Sequence, residues 1–191
     1  INLVMGGERC ISYPSVKASL KTYNSKNTQL LWIDTVPCLK TKQTSVEEKF
    51  SNDNILSQLF NYEQNWPIKK YPLLPHNTYI YGVDYFTKEE QQIILNENIN
   101  VIHKNIFTNN MPVSKPLHIS ISINALKNKY YPSQYIENKN GIHPNALIDI
   151  FKTYKKNIVG VDICDFNAYA CERNSNIQSI YFINQFLKHL F

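Results

Sequence analysis

The stretch Ile119-Ser120-Ile121-Ser122-Ile123-Asn124-Ala125-Leu126 alternates apolar and small polar residues with period two. Successive side chains of a strand point to opposite faces, so this pattern fits a β-strand and is out of step with a helix. The spacing predicts a strand over Pro116–Ile123, with others near residues 1–5, 29–33, 77–83, 99–103 and 158–163. Helical patterns fall between them, at Ser15–Tyr23, Ile55–Phe60, Thr87–Asn96, Pro144–Tyr154 and about Asn176–Leu190. Thr87, with Glu90 three residues on, reads as a capping box, and Pro144 suits a first helical turn. Strands alternating with helices predict an α/β fold: a three-layer sandwich with a mainly parallel sheet and helices on both faces. Ile1–Met5 reads as a buried strand. Ala146, Leu147, Ile150 and Phe151 form one helix face, and Ile177, Ile180, Tyr181, Ile183 and Leu187 are expected to be buried in the last helix.

Composition excludes several classes. At 191 residues and 43% hydrophobic content the chain can bury a sizeable core in one domain, taken as residues 1–191, and is not broadly disordered. No apolar run approaches the ~18 residues of a membrane helix. The start, Ile1-Asn2-Leu3-Val4-Met5, has no signal-peptide pattern, which points to an intracellular protein, in cytoplasm or organelle matrix. It also lacks an initiator Met, so the chain is expected to be processed or a fragment. Cys10, Cys38, Cys164 and Cys171 form no Cys-x-x-Cys pair, which argues against zinc and for free thiols in a reducing compartment. The net charge of +5 comes from scattered lysines, fitting a solvated surface better than a nucleic-acid groove.

Five motifs, in order, carry a resemblance. Gly6-Gly7-Glu8-Arg9-Cys10-Ile11-Ser12-Tyr13-Pro14 is similar to the Gly-Gly-Asp-His-Ser-Ile-Ser-Tyr-Pro segment of the ureohydrolases, the arginase, agmatinase and formiminoglutamase group. Asp34-Thr35-Val36-Pro37-Cys38 resembles that family's Asp-Ala-His-x-Asp, and the run from Ser120 to Asn128 its Ser-Phe-Asp-x-Asp-x-Leu-Asp-Pro. Asn140-Gly141-Ile142 stands where the family has Gly-Gly-Leu, and Val161-Asp162-Ile163-Cys164-Asp165-Phe166-Asn167 resembles Leu-Asp-x-x-Glu-x-Asn. The resemblance implies an arginase-like fold whose N-terminal part is missing or supplied elsewhere. In that family the strand ends hold two manganese ions.

Most of the implied ligands are gone. The matching positions carry Arg9, Asp34, Val36, Cys38, Ser122 and Asn124, and the substrate-guanidinium Glu is shortened to Asp165. Of these, Asp34 alone keeps its ligand type, and an Arg has no lone pair to offer a cation. One carboxylate cannot neutralise two dications, so the resemblance implies a metal-less site with no cofactor and no catalytic residue. Asp34 left without a metal would need another partner, and Arg9 is expected to pair with Asp34 or Asp162. Asp34, Asp162 and Asp165 also admit reading as an acid/base set, against the plainer reading of strand-end carboxylates that cap helices or pair with lysines. His143 with Asp34 would make a rebuilt hydrolase site, although a loop histidine bonding its own backbone is the simpler reading. Tyr130, Tyr131 and Tyr135 suit either a binding patch in place of the substrate loop or packing. By elimination the sequence points to a non-catalytic subunit of a larger protein assembly, homo- or hetero-oligomeric. A rebuilt hydrolase and a regulatory partner of an active ureohydrolase are the alternatives.

Overall fold

A computed structural model describes residues 1–41, 52–62, 70–104, 111–169 and 173–190. Its sheet comprises β1 (Asn2–Met5), β2 (Gln29–Ile33), β3 (Thr78–Tyr81), β4 (Asn100–Ile102), β5 (Leu117–Ser122) and β6 (Ile158–Cys164). The strands run in the order β1-β6-β5-β2-β3-β4, and every pairing is parallel. A parallel sheet needs cover on both faces, because each crossover lays its helix on one of them. Here α1 (Ser12–Tyr23), α2 (Ile55–Leu59) and α3 (Lys88–Asn96) pack on one side, around Leu30, Trp32 and Ile80 of the sheet. On the other side α4 (Pro144–Tyr154) and α5 (Arg173–Leu187) pack on Leu31, Ile33, Ile119, Ile121, Val161 and Ile163. The expected three-layer α/β architecture is present, as are the Thr87–Glu90 capping box and the Pro144 first turn.

The whole of β5 is buried, and its His118 and Ser120 belong to a hydrogen-bonded layer beneath α1. Two details differ from the sequence reading. First, β1 is not buried: it forms one edge of the sheet, with Leu3 38% and Met5 54% exposed. Second, α5 buries Ile183, Phe186 and Leu187 but leaves Ile177, Ile180 and Tyr181 exposed. A helix buries one stripe of side chains, and these three lie off it; α5 and the end of β1 stand apart. A groove of about 240 Å³ separates them, lined by Met5, Ile163, Phe166 and Ile180 among others. Most of the polar, loop-like stretch Thr41–Asn54, part of the proline-punctuated segment Trp66–Pro75, and Cys171 lie outside the described residues.

Candidate functional site: the floor of the strand-end cleft

Parallel strands leave their carboxyl ends at one rim, and ligands of open α/β sheets bind there. In this chain Gly7 after β1, Asp34 after β2, Asn124 after β5 and Asp165 after β6 meet around a cleft of about 690 Å³. Val36 and Cys38 line it as well. Gly6 and Gly7 take positive φ of 112° and 65°, conformations that glycine adopts freely, and so let the chain leave β1 in a sharp turn. That turn brings Arg9 back beneath the strand ends.

Arg9 is 2% exposed. Its Nε lies 2.9 Å from Asp34 Oδ2, the pairing expected from the sequence. This contact is a close charge pair rather than an aligned hydrogen bond, because Nε meets no acceptor at hydrogen-bonding angles. The Nη1 group donates to Ser120 Oγ at 3.0 Å, Cys164 Sγ at 3.1 Å and Ser12 Oγ at 3.4 Å. The guanidinium plane sits over Trp32, with Cζ 3.4 Å from the ring centre, so the ring face adds cation–π attraction. Burial works against the Arg9 charge. The neighbouring Cys164, Asp34, Cys38 and Asp162 outweigh it, and the guanidinium is held protonated above its ordinary range.

Asp34 shows the opposite balance. Burial pushes its carboxyl up, and Arg9 offsets this in part. Thr35 N–H also donates to its Oδ1 at 2.7 Å. The two shifts describe one pair, and an always-charged guanidinium makes it ionic whenever Asp34 is ionised.

Behind this pair lies a second carboxylate, unpredicted in its role. Asp162 Oδ1 accepts from Ser12 and Ser120, each at 2.6 Å, and Oδ2 meets His118 Nε2 at 2.7 Å. His118 Nδ1 in turn lies 2.8 Å from Ser19 Oγ on α1. Burial alone would raise the Asp162 carboxyl; His118, Arg9 and Ser12 hold it below its ordinary range. The order Ser19–His118–Asp162 imitates a catalytic relay, yet all three side chains are buried at 0% exposure, and no substrate reaches them. The signal in the sequence was His118 and Ser120 on the polar face of a strand due to be covered on both sides.

The remaining cleft residues bond within the chain. Ser122 Oγ donates to Asp165 Oδ2 at 2.6 Å. Asn124 Oδ1 accepts the backbone N–H groups of Tyr135 and Ile136, at 3.2 and 3.3 Å, and pins their loop at the rim. The Cys38 thiol contacts Asp34 Oδ2 at 3.7 Å, and burial pushes the Cys38 and Cys164 thiols well up. None of Asp34, Asp162 or Asp165 pairs with a lysine among the described residues, contrary to the plainer expectation.

His143 does not join this site. It is the loop histidine of the simpler reading: it caps α4, accepting from Asn145 N–H at 3.2 Å, and its Nε2 lies 3.0 Å from Tyr130 Oη, so the alternative Asp34–His143 pair is not brought together at the cleft. The three tyrosines separate too: Tyr131 is fully buried, Tyr130 packs edge-on against His143 and Phe182, and Tyr135 stands 78% exposed at the cleft rim.

Among the described residues, no group of three or more His, Cys, Asp or Glu side chains is placed to hold a metal ion. Around Asp34 stand the Arg9 guanidinium, the Cys38 thiol, hydroxyls and the Asn124 amide, and the other carboxylates lining the cleft are already engaged, Asp165 by Ser122, Asp53 by Lys40 and Glu8 by Asn52; no imidazole joins them. This set does not fit two manganese ions, which need several carboxylate oxygens and imidazole nitrogens.

The arginase family model matches residues 1–186. The chain belongs to the arginase family. It is 25% identical over 186 residues to the arginase of Plasmodium berghei, a match covering 86% of this chain and 52% of that protein. The crystal structure of Bacillus cereus arginase superposes with a TM-score of 0.80 at 19% identity, over 97% of this chain and 69% of that one. A putative agmatinase from Clostridium difficile gives 0.74 at 19% identity, over 98% and 65%. The chain thus spans about half the length of the curated relatives it matches. Among the described residues no helix is long and apolar enough to cross a membrane.

Proposed function

We propose that this chain is a non-catalytic member of the arginase family that serves as a structural or interaction subunit of a larger intracellular protein assembly. One observation carries the reading. The buried guanidinium of Arg9 lies against Asp34 at the cleft floor, where the ureohydrolase motifs would place a metal-binding histidine beside a metal-binding aspartate. The positions carrying Val36, Cys38, Ser122 and Asn124 add no carboxylate or imidazole to Asp34. The apolar side chains left open on β1 and α5, and Tyr135 and Ile136 at the cleft rim, support a role in contact with other proteins. A regulatory partnership with an active ureohydrolase is a narrower form of the same reading.

The test is direct. The purified chain is incubated with excess manganese and, separately, arginine, agmatine and formiminoglutamate, and release of urea or formamide is followed. No turnover above the metal blank is expected. In native extract the chain should elute as part of an assembly much larger than 22.3 kDa. Turnover of any of the three substrates would end the non-catalytic reading, and elution as a free monomer would end the subunit reading.

A further inference from the structure

We infer that Arg9 is a built-in cation that fixes the cleft floor, so that this cleft is held together without a divalent metal and rejects one. The inference rests on the non-catalytic reading in one respect, the misfit between the donor set and manganese. The geometry takes it further. One guanidinium, in the turn after β1, meets Asp34 at the end of β2, Ser120 in β5, Cys164 at the end of β6 and Ser12 on α1. It therefore ties four neighbouring strands and a helix through a single charged group. Through Ser12 and Ser120 the same group is linked to Asp162, so both buried carboxylates face one fixed positive charge.

Two features exclude a metal rather than merely failing to bind it. The Arg9 guanidinium is wedged between Asp34 and Trp32, so a dication at Asp34 would meet a fixed like charge in a desolvated place. The other polar groups at the floor already have partners within the chain: Ser122 on Asp165, and Asn124 on the Tyr135–Ile136 loop. Metal binding would have to break these contacts first.

The experiment uses the whole chain with manganese as the probe. After equilibration with manganese and gel filtration, bound metal is measured by mass spectrometry, and thermal unfolding is recorded with manganese, with chelator and with neither. The wild type is expected to retain well under one ion per chain and to show the same Tm in all three conditions. Arg9→Met, which keeps the bulk and removes the charge, should lower Tm on the order of 10 °C, as loss of one partner of a buried pair does. Arg9→Lys, which keeps the charge and loses the fork, should fall between the two, and it serves the test should Arg9→Met fail to fold. Stoichiometric manganese on the wild type, a Tm raised by manganese, an Arg9→Met chain as stable as the wild type, or an Arg9→Lys chain no better than Arg9→Met would each overturn the inference. A chain that binds no manganese and still hydrolyses a guanidino substrate would defeat the proposed function and leave this inference standing.

Discussion

Replacing Gly160 by alanine tests whether the buried layer under α1 is real and matters. Gly160 sits in the middle of β6 opposite Asn2 and His118. A Cβ there would lie 2.5 Å from His118 Nδ1 and 2.7 Å from Ser19 Oγ, distances that real contacts do not reach. Those are the two atoms that meet at 2.8 Å, so the methyl group would be driven into their hydrogen bond. Loss of a buried hydrogen bond in a charged network costs about 1.5–3 kcal/mol. Overpacking adds about 1–3 kcal/mol. Alanine in place of glycine in a strand returns about 0.5–1 kcal/mol. The net loss is about 3 kcal/mol, or about 6–12 °C in Tm for a chain of this size. Differential scanning calorimetry of Gly160→Ala, Ser19→Ala and the double variant reads it. The two changes should be non-additive by more than about 0.5 kcal/mol, because they act on one contact. A Gly160→Ala chain within a degree of the wild type, with an additive double variant, would refute the packing described for His118.

Two further outcomes follow from the buried charges. Asp162 is held below the ordinary carboxylate value, so its contribution is present above about pH 3.9 and is lost as pH falls through its folded value. The Tm of Asp162→Asn should accordingly fall less steeply than the wild type's between about pH 4 and 2, and parallel acid limbs would show that Asp162 does not drive the loss. Burial lowers the Lys17 amine to about 8, where its ammonium meets Asn61 Oδ1 and the Tyr71 carbonyl, both at 3.2 Å. Its acetylation rate should level off above about pH 8, as judged by peptide mass spectrometry; a rate still climbing at pH 10 would contradict that placement.

Much of the fold was legible because strand and helix periods are written in local runs. The Gln29–Ile33 strand, the Pro144–Tyr154 helix and the Thr87 cap stand where their residues predict. What failed was exposure, which depends on what covers an element rather than on the element itself. Ile1–Met5 and Ile177–Tyr181 are as apolar as core segments, yet one is a sheet edge and the other the free side of a helix end. At the cleft, the Arg9–Asp34 pair was predictable from an orphaned carboxylate beside a new cation. The Ser19–His118–Asp162 line was not, because its members come from three distant segments that only the sheet order brings together. His143 was legible from its own neighbourhood, as a loop histidine that bonds nearby backbone, here Asn145 N–H at the start of α4.

The sheet order also bears on how the chain is expected to fold. β5, α4, β6 and α5 follow one another along the chain and meet mostly near neighbours, so their loops close with little entropy loss. β1 must cross the whole chain to reach β6, pairing Asn2 with Gly160, and Arg9 bonds Cys164 over a separation of 155 residues. Closing loops of that length costs the most chain entropy, so β1 and its guanidinium are expected to dock late, on a C-terminal half already paired, with hydrogen-exchange protection appearing last at residues 2–5. On that order the edge strand brings the charge that offsets burial of Asp34 and Asp162, and unfolding is expected to start there, with β1 leaving the edge and releasing Arg9.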